Sequence, residues 1–291
     1  MRIRQKEDWH FREEKEEHTL YSAKETANRY METGRGKASM PLLRMLLMGV
    51  LAGMLLALAA VGAGTASCMV ENPGTTRIVS ALVFPAGLAL IVFLGAELFT
   101  GNCLLIMPVL EKQISFGRMA VSWAAVYLGN FLGSALMAFL VCESGQMSGF
   151  SGAVAGNAIR AAVTKTSLDP GKAVLLGILC NFLVCAAVFI SMMGTTVADK
   201  LLGLYFPIML FVLGGFEHSV ANMYYIPAGL FAAAKPEYAA LAAAQGISLD
   251  GLTWQSFFLG NLLPVTVGNV LGGAALGVLL WGAYLWKGKR A

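Results

Sequence analysis

Gly214-Gly215-Phe216-Glu217-His218-Ser219-Val220-Ala221-Asn222 is the stretch on which the reading of this chain turns. It interrupts an apolar run, 201–234, in which Glu217 and His218 are the only Asp, Glu, Lys, Arg or His. His218 is also the only histidine after His18. An ionisable side chain inside hydrocarbon is costly, so its presence there marks a functional site by default. The competing explanation is a hydrogen-bonded core histidine. Against it stand the solitary position of His218 in the apolar body and the Gly-Gly that breaks the run just before it.

The composition puts this run in a membrane. Of 291 residues, 57% are hydrophobic and 13% charged, and mean hydropathy is +0.67, outside the range of soluble domains. Charge is segregated. Residues 1–44 carry ten Lys/Arg and eight Asp/Glu, whereas 45–286 carry eight and nine. No basic stripe lies on a soluble domain, so no nucleic-acid partner is implied. The five cysteines lack metal-ligand spacing and read as buried thiols; no metal or cofactor is implied.

Working outward, the chain divides into six apolar runs: 45–70, 78–108, 119–141, 173–198, 201–234 and one within 251–286. Each is long enough to cross a bilayer, which takes about 20 residues. Pro264 divides the last into a lead-in and a main helix. Residues 1–18 read as a flexible charged tail. Residues 19–37 read as an amphipathic helix on the membrane surface or a neighbouring subunit, ended by Gly34 and Gly36. Residues 38–287 read as the six-span domain and 288–291 as a basic tail. Six spans put both termini on one side. Lys112, Arg118, Lys200 and the tails make that side cytoplasmic by the positive-inside rule, although the 143–172 loop places Arg160, Lys165 and Lys172 opposite.

The two halves repeat, over about 38–143 and 170–287. Gly49-Val-Leu-Ala-Gly53 parallels Gly177-Ile-Leu-Cys-Asn181. Gly95, Glu97 and Asn102 parallel Gly215, Glu217 and Asn222. Gly129-Asn130-x-Leu132-Gly133 parallels Gly268-Asn269-x-Leu271-Gly272. Three spans per half make the repeats inverted, with the second and fifth helices broken at matching positions. Such breaks point to a substrate site near the midplane. Helix breaks free backbone N–H groups, tolerable only against protein or a water-filled cavity and attractive to an anion. Glu97, Thr100, Asn102, Glu217, His218 and Asn222 sit at the breaks. The paired Glu97 and Glu217 read as scaffold. His218 aligns with Leu98, so it breaks the symmetry.

The motifs Gly95-Ala-Glu-Leu-Phe-Thr-Gly-Asn102, Gly215-Phe-Glu-His-Ser-Val-Ala-Asn-Met223 and Leu262-Leu-Pro-Val-Thr-Val-Gly-Asn-Val-Leu-Gly-Gly273 resemble the signatures of the formate/nitrite transporter family, in family order. The resemblance covers roughly residues 20–286. It implies an all-α, aquaporin-like six-span protomer in a homopentamer, passing formate, nitrite or hydrosulfide. His218 resembles the central pore histidine, Glu217 its neighbouring carboxylate, and Thr100 the threonine that faces it from a loop with Leu98 and Phe99. Phe84 and Phe211 match an outer constriction; Leu88, Leu98 and Val184 match an inner one. Asn181 and Asn269 match polar residues flanking the pore. Lys165, sixteen residues before Asn181, matches a lysine that makes the vestibule electropositive.

These expectations combine into a mechanism. Apolar constrictions oppose a naked anion. Lys165 concentrates it, and His218 hydrogen-bonds it and can lend it a proton. An aquaporin-type neutral-solute channel needs paired Asn-Pro-Ala caps, and the one Asn-Pro, Asn72-Pro73, is an unpaired loop. An enzyme needs a nucleophile–base pair, metal triad or phosphate loop, and none is present.

Overall fold

The computed structural model describes residues 20–287. The expected tails, 1–18 and 288–291, lie outside the described residues.

The amphipathic stretch forms α1 (Ala23–Ser39), opened by a capping box in which Ser22 and Glu25 satisfy each other's backbone N–H groups. One expectation for it is corrected: the helix runs through Gly34 and Gly36 to Ser39. One face packs on its own chain, with Tyr30 and Met31 buried. Gly34 allows this, because a Cβ there would stand 2.9 Å from Pro108 Cγ. Without one, α1 lies close against the second span.

The first span is α2 (Leu42–Ser67). The second is assembled from pieces: α3 (Pro73–Val83) and α4 (Ala86–Phe93), then a break at 94–98. After the break come α5 (Phe99–Asn102), a 3₁₀ turn (Cys103–Leu105) and α6 (Ile106–Leu110). The third span is α7 (Phe116–Glu143). The stretch read as a loop, 143–172, contains a helix, α8 (Ala153–Thr166). Val154, Ala155, Ile159 and Ala162 recur on its buried face, and a Cβ on Gly229 would lie 2.9 Å from Ala158 O. The fourth span is α9 (Pro170–Ser191). The fifth is α10 (Val197–Leu213), a break at 214–218, and α11 (Ser219–Ala233), followed by the short α12 (Pro236–Ala244). The sixth begins as a π-helix (Ser256–Leu262) and continues as α13 (Leu263–Tyr284). Pro264 thus falls where the π-helical lead-in gives way to the main helix. It sits at the start of α13, where its missing N–H is tolerated.

Five of these helices are long and apolar enough to cross a membrane: α2, the joined α3–α4, α7, α9 and the π-helix with α13. The fifth span falls short because it is cut in two. Large apolar side chains such as Leu47, Leu128, Leu179 and Phe206 point outward, as lipid or a partner surface requires.

The repeat is exact enough to read atom by atom. A Cβ on Gly49 would sit 2.8 Å from Val126 O of α7; one on Gly177 would sit 2.8 Å from Val265 O of α13. Small residues thus bring α2 onto α7 and α9 onto α13 at backbone distance. At the breaks, Gly95 (φ +66°) and Gly215 (φ +68°) take the left-handed conformation that ends a helix. Ala96 N–H then donates to Ile91 O at 2.9 Å, and Phe216 N–H to Phe211 O at 3.1 Å.

Candidate functional site

Each break is held open by one buried asparagine. Asn130 Nδ2 donates to Gly49 O (2.8 Å) and Glu97 O (2.9 Å), while its Oδ1 accepts the Phe99 N–H (2.9 Å). Asn269 does the same in the other half: Nδ2 to Gly177 O and Glu217 O, both 2.9 Å, and Oδ1 from the Ser219 N–H, 2.8 Å. A carboxamide carries donors and acceptors together, which is what a broken helix needs in a place without water. Asn181 is also spent on backbone, donating to Thr100 O (3.1 Å) and Asn269 O (2.7 Å). The amides of Asn181 and Asn269, expected to flank the pore, bond to the backbone of the broken helices.

Beside each break lies a lysine–glutamate–asparagine cluster. Lys165 Nζ is 2.8 Å from Glu217 Oε1, and Asn222 Nδ2 donates to Glu217 Oε2 at 2.6 Å. Lys37 Nζ is 2.9 Å from Glu97 Oε1, and Asn102 Nδ2 donates to Glu97 Oε2 at 2.8 Å. Lys37 was missed in the sequence although the signal was there. It precedes Gly49 by twelve residues, as Lys165 precedes Gly177. The repeat unit thus extends to α1 and α8. Asn261 was also missed. From the π-helix it accepts from Asn222 Nδ2 (2.7 Å) and donates to Lys165 O (2.9 Å).

The pairing predicts a mutational pattern. Glu217 is buried, and its side chain depends on Lys165 for charge compensation. Lys165→Met is expected to lower stability by about 3 kcal/mol, the order found on stripping one partner from a buried pair. Lys165→Met/Glu217→Gln is expected to recover most of that loss. Thermal midpoints in detergent decide it, and a single variant as stable as its double would contradict the pairing.

Two openings approach the centre. One, about 290 Å³, is lined by Lys165, Arg77, Phe84, Phe211 and His218. The other, about 300 Å³, is lined by Lys37, Leu88, Ile91, Leu98 and Val188. Phe84 and Phe211, both lining the first, meet edge to face, ring centroids 5.7 Å apart at 88°. Phe211 also stacks on the imidazole of His218, at 5.8 Å and 25°. On α9, Val184 is buried and Val188, one turn on, lines the second opening. One constriction assignment is corrected. Phe99 turns away from both openings and packs on Trp123 and Tyr127, ring centroids 6.2 and 4.8 Å away.

Between the openings His218 meets Thr100, Nε2 to Oγ1, at 3.0 Å. His218 is also the N-cap of α11, its Nδ1 accepting the Ala221 N–H at 3.0 Å. That bond assigns the ring proton of the neutral histidine to Nε2, which therefore donates to Thr100. The symmetry-related positions are Leu98 and Val220, both apolar. One polar pair, built from both repeats, thus stands where two openings lined largely by apolar side chains approach each other.

Such an inverted-repeat bundle, with a polar pair between two broken helices, defines a multi-pass membrane transporter. The family model "Formate/nitrite transporter" matches residues 24–283. Formate channel FocA of Escherichia coli K12 is 35% identical over 259 residues, covering 87% of this chain and 91% of that protein. A solved structure described as a pentameric formate channel with formate bound superposes with a TM-score of 0.74 at 30% identity, covering 84% of this chain and 98% of that one. Another, described as an FNT family ion channel, gives 0.77 at 27% identity over 89% of this chain and 98% of that one. The chain belongs to the formate/nitrite transporter family.

Proposed function

We propose that this chain is a channel for small monovalent anions, formate foremost, working as a homopentamer with one pore per subunit. We place it in the cell membrane with both termini cytoplasmic. The observation that carries the reading is the His218–Thr100 pair, 3.0 Å apart, between openings lined largely by apolar side chains. The names of the relatives support formate as the anion. A bare anion crossing Phe84 and Phe211, or Leu88 and Leu98, loses its hydration without a counter-charge, a cost of many kcal/mol. Formic acid does not meet that cost.

His218 supplies the means. A formate that reaches Thr100 competes for the Nε2–H donor. Once the ring takes a second proton from water of the vestibule, transfer from imidazolium to carboxylate oxygen yields formic acid and neutral His218, and the acid releases its proton to water in the far vestibule. The second proton would occupy Nδ1 and displace the Ala221 N–H, so charging the ring and uncapping α11 are one event. Glu217 and Lys165 hold the wall of this path.

Purified protein in liposomes, followed by stopped-flow light scattering after mixing with formate, nitrite or hydrosulfide, tests the reading. Formate is expected to enter fastest. Faster nitrite or hydrosulfide would transfer the assignment to that anion, and no flux of any of the three above empty liposomes would refute the channel.

A further inference from the structure

We propose that Arg77, rather than Lys165, gathers the anion at the Lys165-side mouth of the pore. The inference rests on the anion-channel reading above and names the residue that serves it. Lys165 carries a positive charge into that opening, but Glu217 cancels it at 2.8 Å. The ion pairs among the described residues engage Lys37, Lys165 and Lys235. Arg77 lines the same opening, is exposed, and has no carboxylate partner among the described residues. With the lysine–glutamate pair neutral, the wall of this mouth carries one uncompensated charge, and it is the guanidinium.

Its position is fixed by the break. A Cβ on Gly215 would stand 3.0 Å from Arg77 Nη1 and 3.2 Å from Cζ and Nη2. The guanidinium therefore lies flat over the glycine that ends α10, two residues before Glu217. On α3, Ser80 follows Arg77 by one turn, and Phe84 follows Ser80 by the next. Ser80 also lines the opening and its hydroxyl has no hydrogen-bond partner among the described residues. One helix face thus presents a guanidinium, then a hydroxyl, then the ring that meets Phe211. A planar fork suits a carboxylate or nitrite, whose two oxygens accept in parallel. The repeat counterpart of Arg77, 120 residues on as Glu217 is from Glu97, is Val197. The device belongs to one mouth only.

The test is formate influx into proteoliposomes at about 10 mM ionic strength, where charges act over tens of ångströms. Arg77→Gln is expected to raise half-saturating formate about three- to tenfold, the low end of electrostatic focusing, with maximal flux within about twofold of wild type. At about 0.5 M salt the difference is expected to close. Arg77→Lys is expected to recover most of the low-salt effect and Arg77→Glu to exceed that of Arg77→Gln. An Arg77→Gln saturation curve matching wild type at low salt, or a difference that salt leaves intact, overturns the proposal. If the wild type passes no formate, nitrite or hydrosulfide, the channel reading fails first. If it conducts and Arg77→Gln matches it, the role of Arg77 fails alone. The position is exposed, so an unchanged thermal midpoint is expected to separate kinetic loss from misfolding.

Discussion

Asn269→Leu is expected to lower the thermal midpoint by at least 10 °C and to leave little folded protein after extraction. Leucine matches asparagine roughly in volume, so packing is not the issue. The substitution strands two buried backbone groups at once, the Ser219 N–H and Glu217 O, and strips a second bond from Gly177 O, which keeps its partner within α9. Each unpaired group costs about 1–3 kcal/mol and the extra bond about 1 kcal/mol, so the sum is of order 5 kcal/mol, a large part of the 5–15 kcal/mol typical of a whole fold. In a protein this size that corresponds to roughly 10–20 °C. Asn130→Leu is expected to behave alike, because its three bonds are the same in the other repeat. Asn157→Ala serves as the control. That residue donates one bond, to Gly64 O at 3.1 Å, from a half-buried position, and a shift below about 4 °C is expected, matching the ~1 kcal/mol of one such bond. Equal midpoints for Asn269→Leu and wild type, measured by size-exclusion after heating in detergent, would show that the breaks do not depend on their asparagines.

What was legible in the sequence follows the same division between duplicated and single features. Span count and breaks were readable because a membrane forces continuous apolar runs and the repeat states each landmark twice. Glu97 and Glu217 were readable as scaffold for that reason, and His218 as the exception because its mate is Leu98. Lys37 could have been read the same way, but α1 carries so many charges that one lysine did not stand out. Orientation of side chains about a helix was less legible. Val184 and Val188 lie on one face of α9, and spacing alone does not say which of the two reaches the opening. Phe99 follows Leu98 directly, so a small rotation of α5 decides that Leu98 faces the opening and Phe99 faces Trp123. The π-helix was invisible, since Ser256–Leu262 differs in no compositional way from ordinary helix. Asn261, which that helix turns inward, was hidden with it.

His218→Gln is expected to separate hydrogen bonding from proton exchange at the centre of the pore. A glutamine amide can donate to Thr100 Oγ1 as Nε2–H does at 3.0 Å, but it takes up no proton. If His218 neutralises the anion, formate-driven pH change inside liposomes is expected to fall about 10²-fold or more, the usual scale for losing a positioned proton donor. Formate movement that remains would then be electrogenic, measurable as current across a planar bilayer. His218→Ala removes the donor and also the cap on the Ala221 N–H, which costs α11 about 1 kcal/mol. It is therefore expected to show the same loss of proton coupling with a modest fall in stability. Thr100→Val keeps the ring and deletes its partner, so proton coupling is expected to persist at reduced rate. Wild-type pH change in either His218 variant would remove the histidine from the mechanism. What would remain is an electrogenic channel whose selectivity rests on the two apolar constrictions and the charge at the mouth.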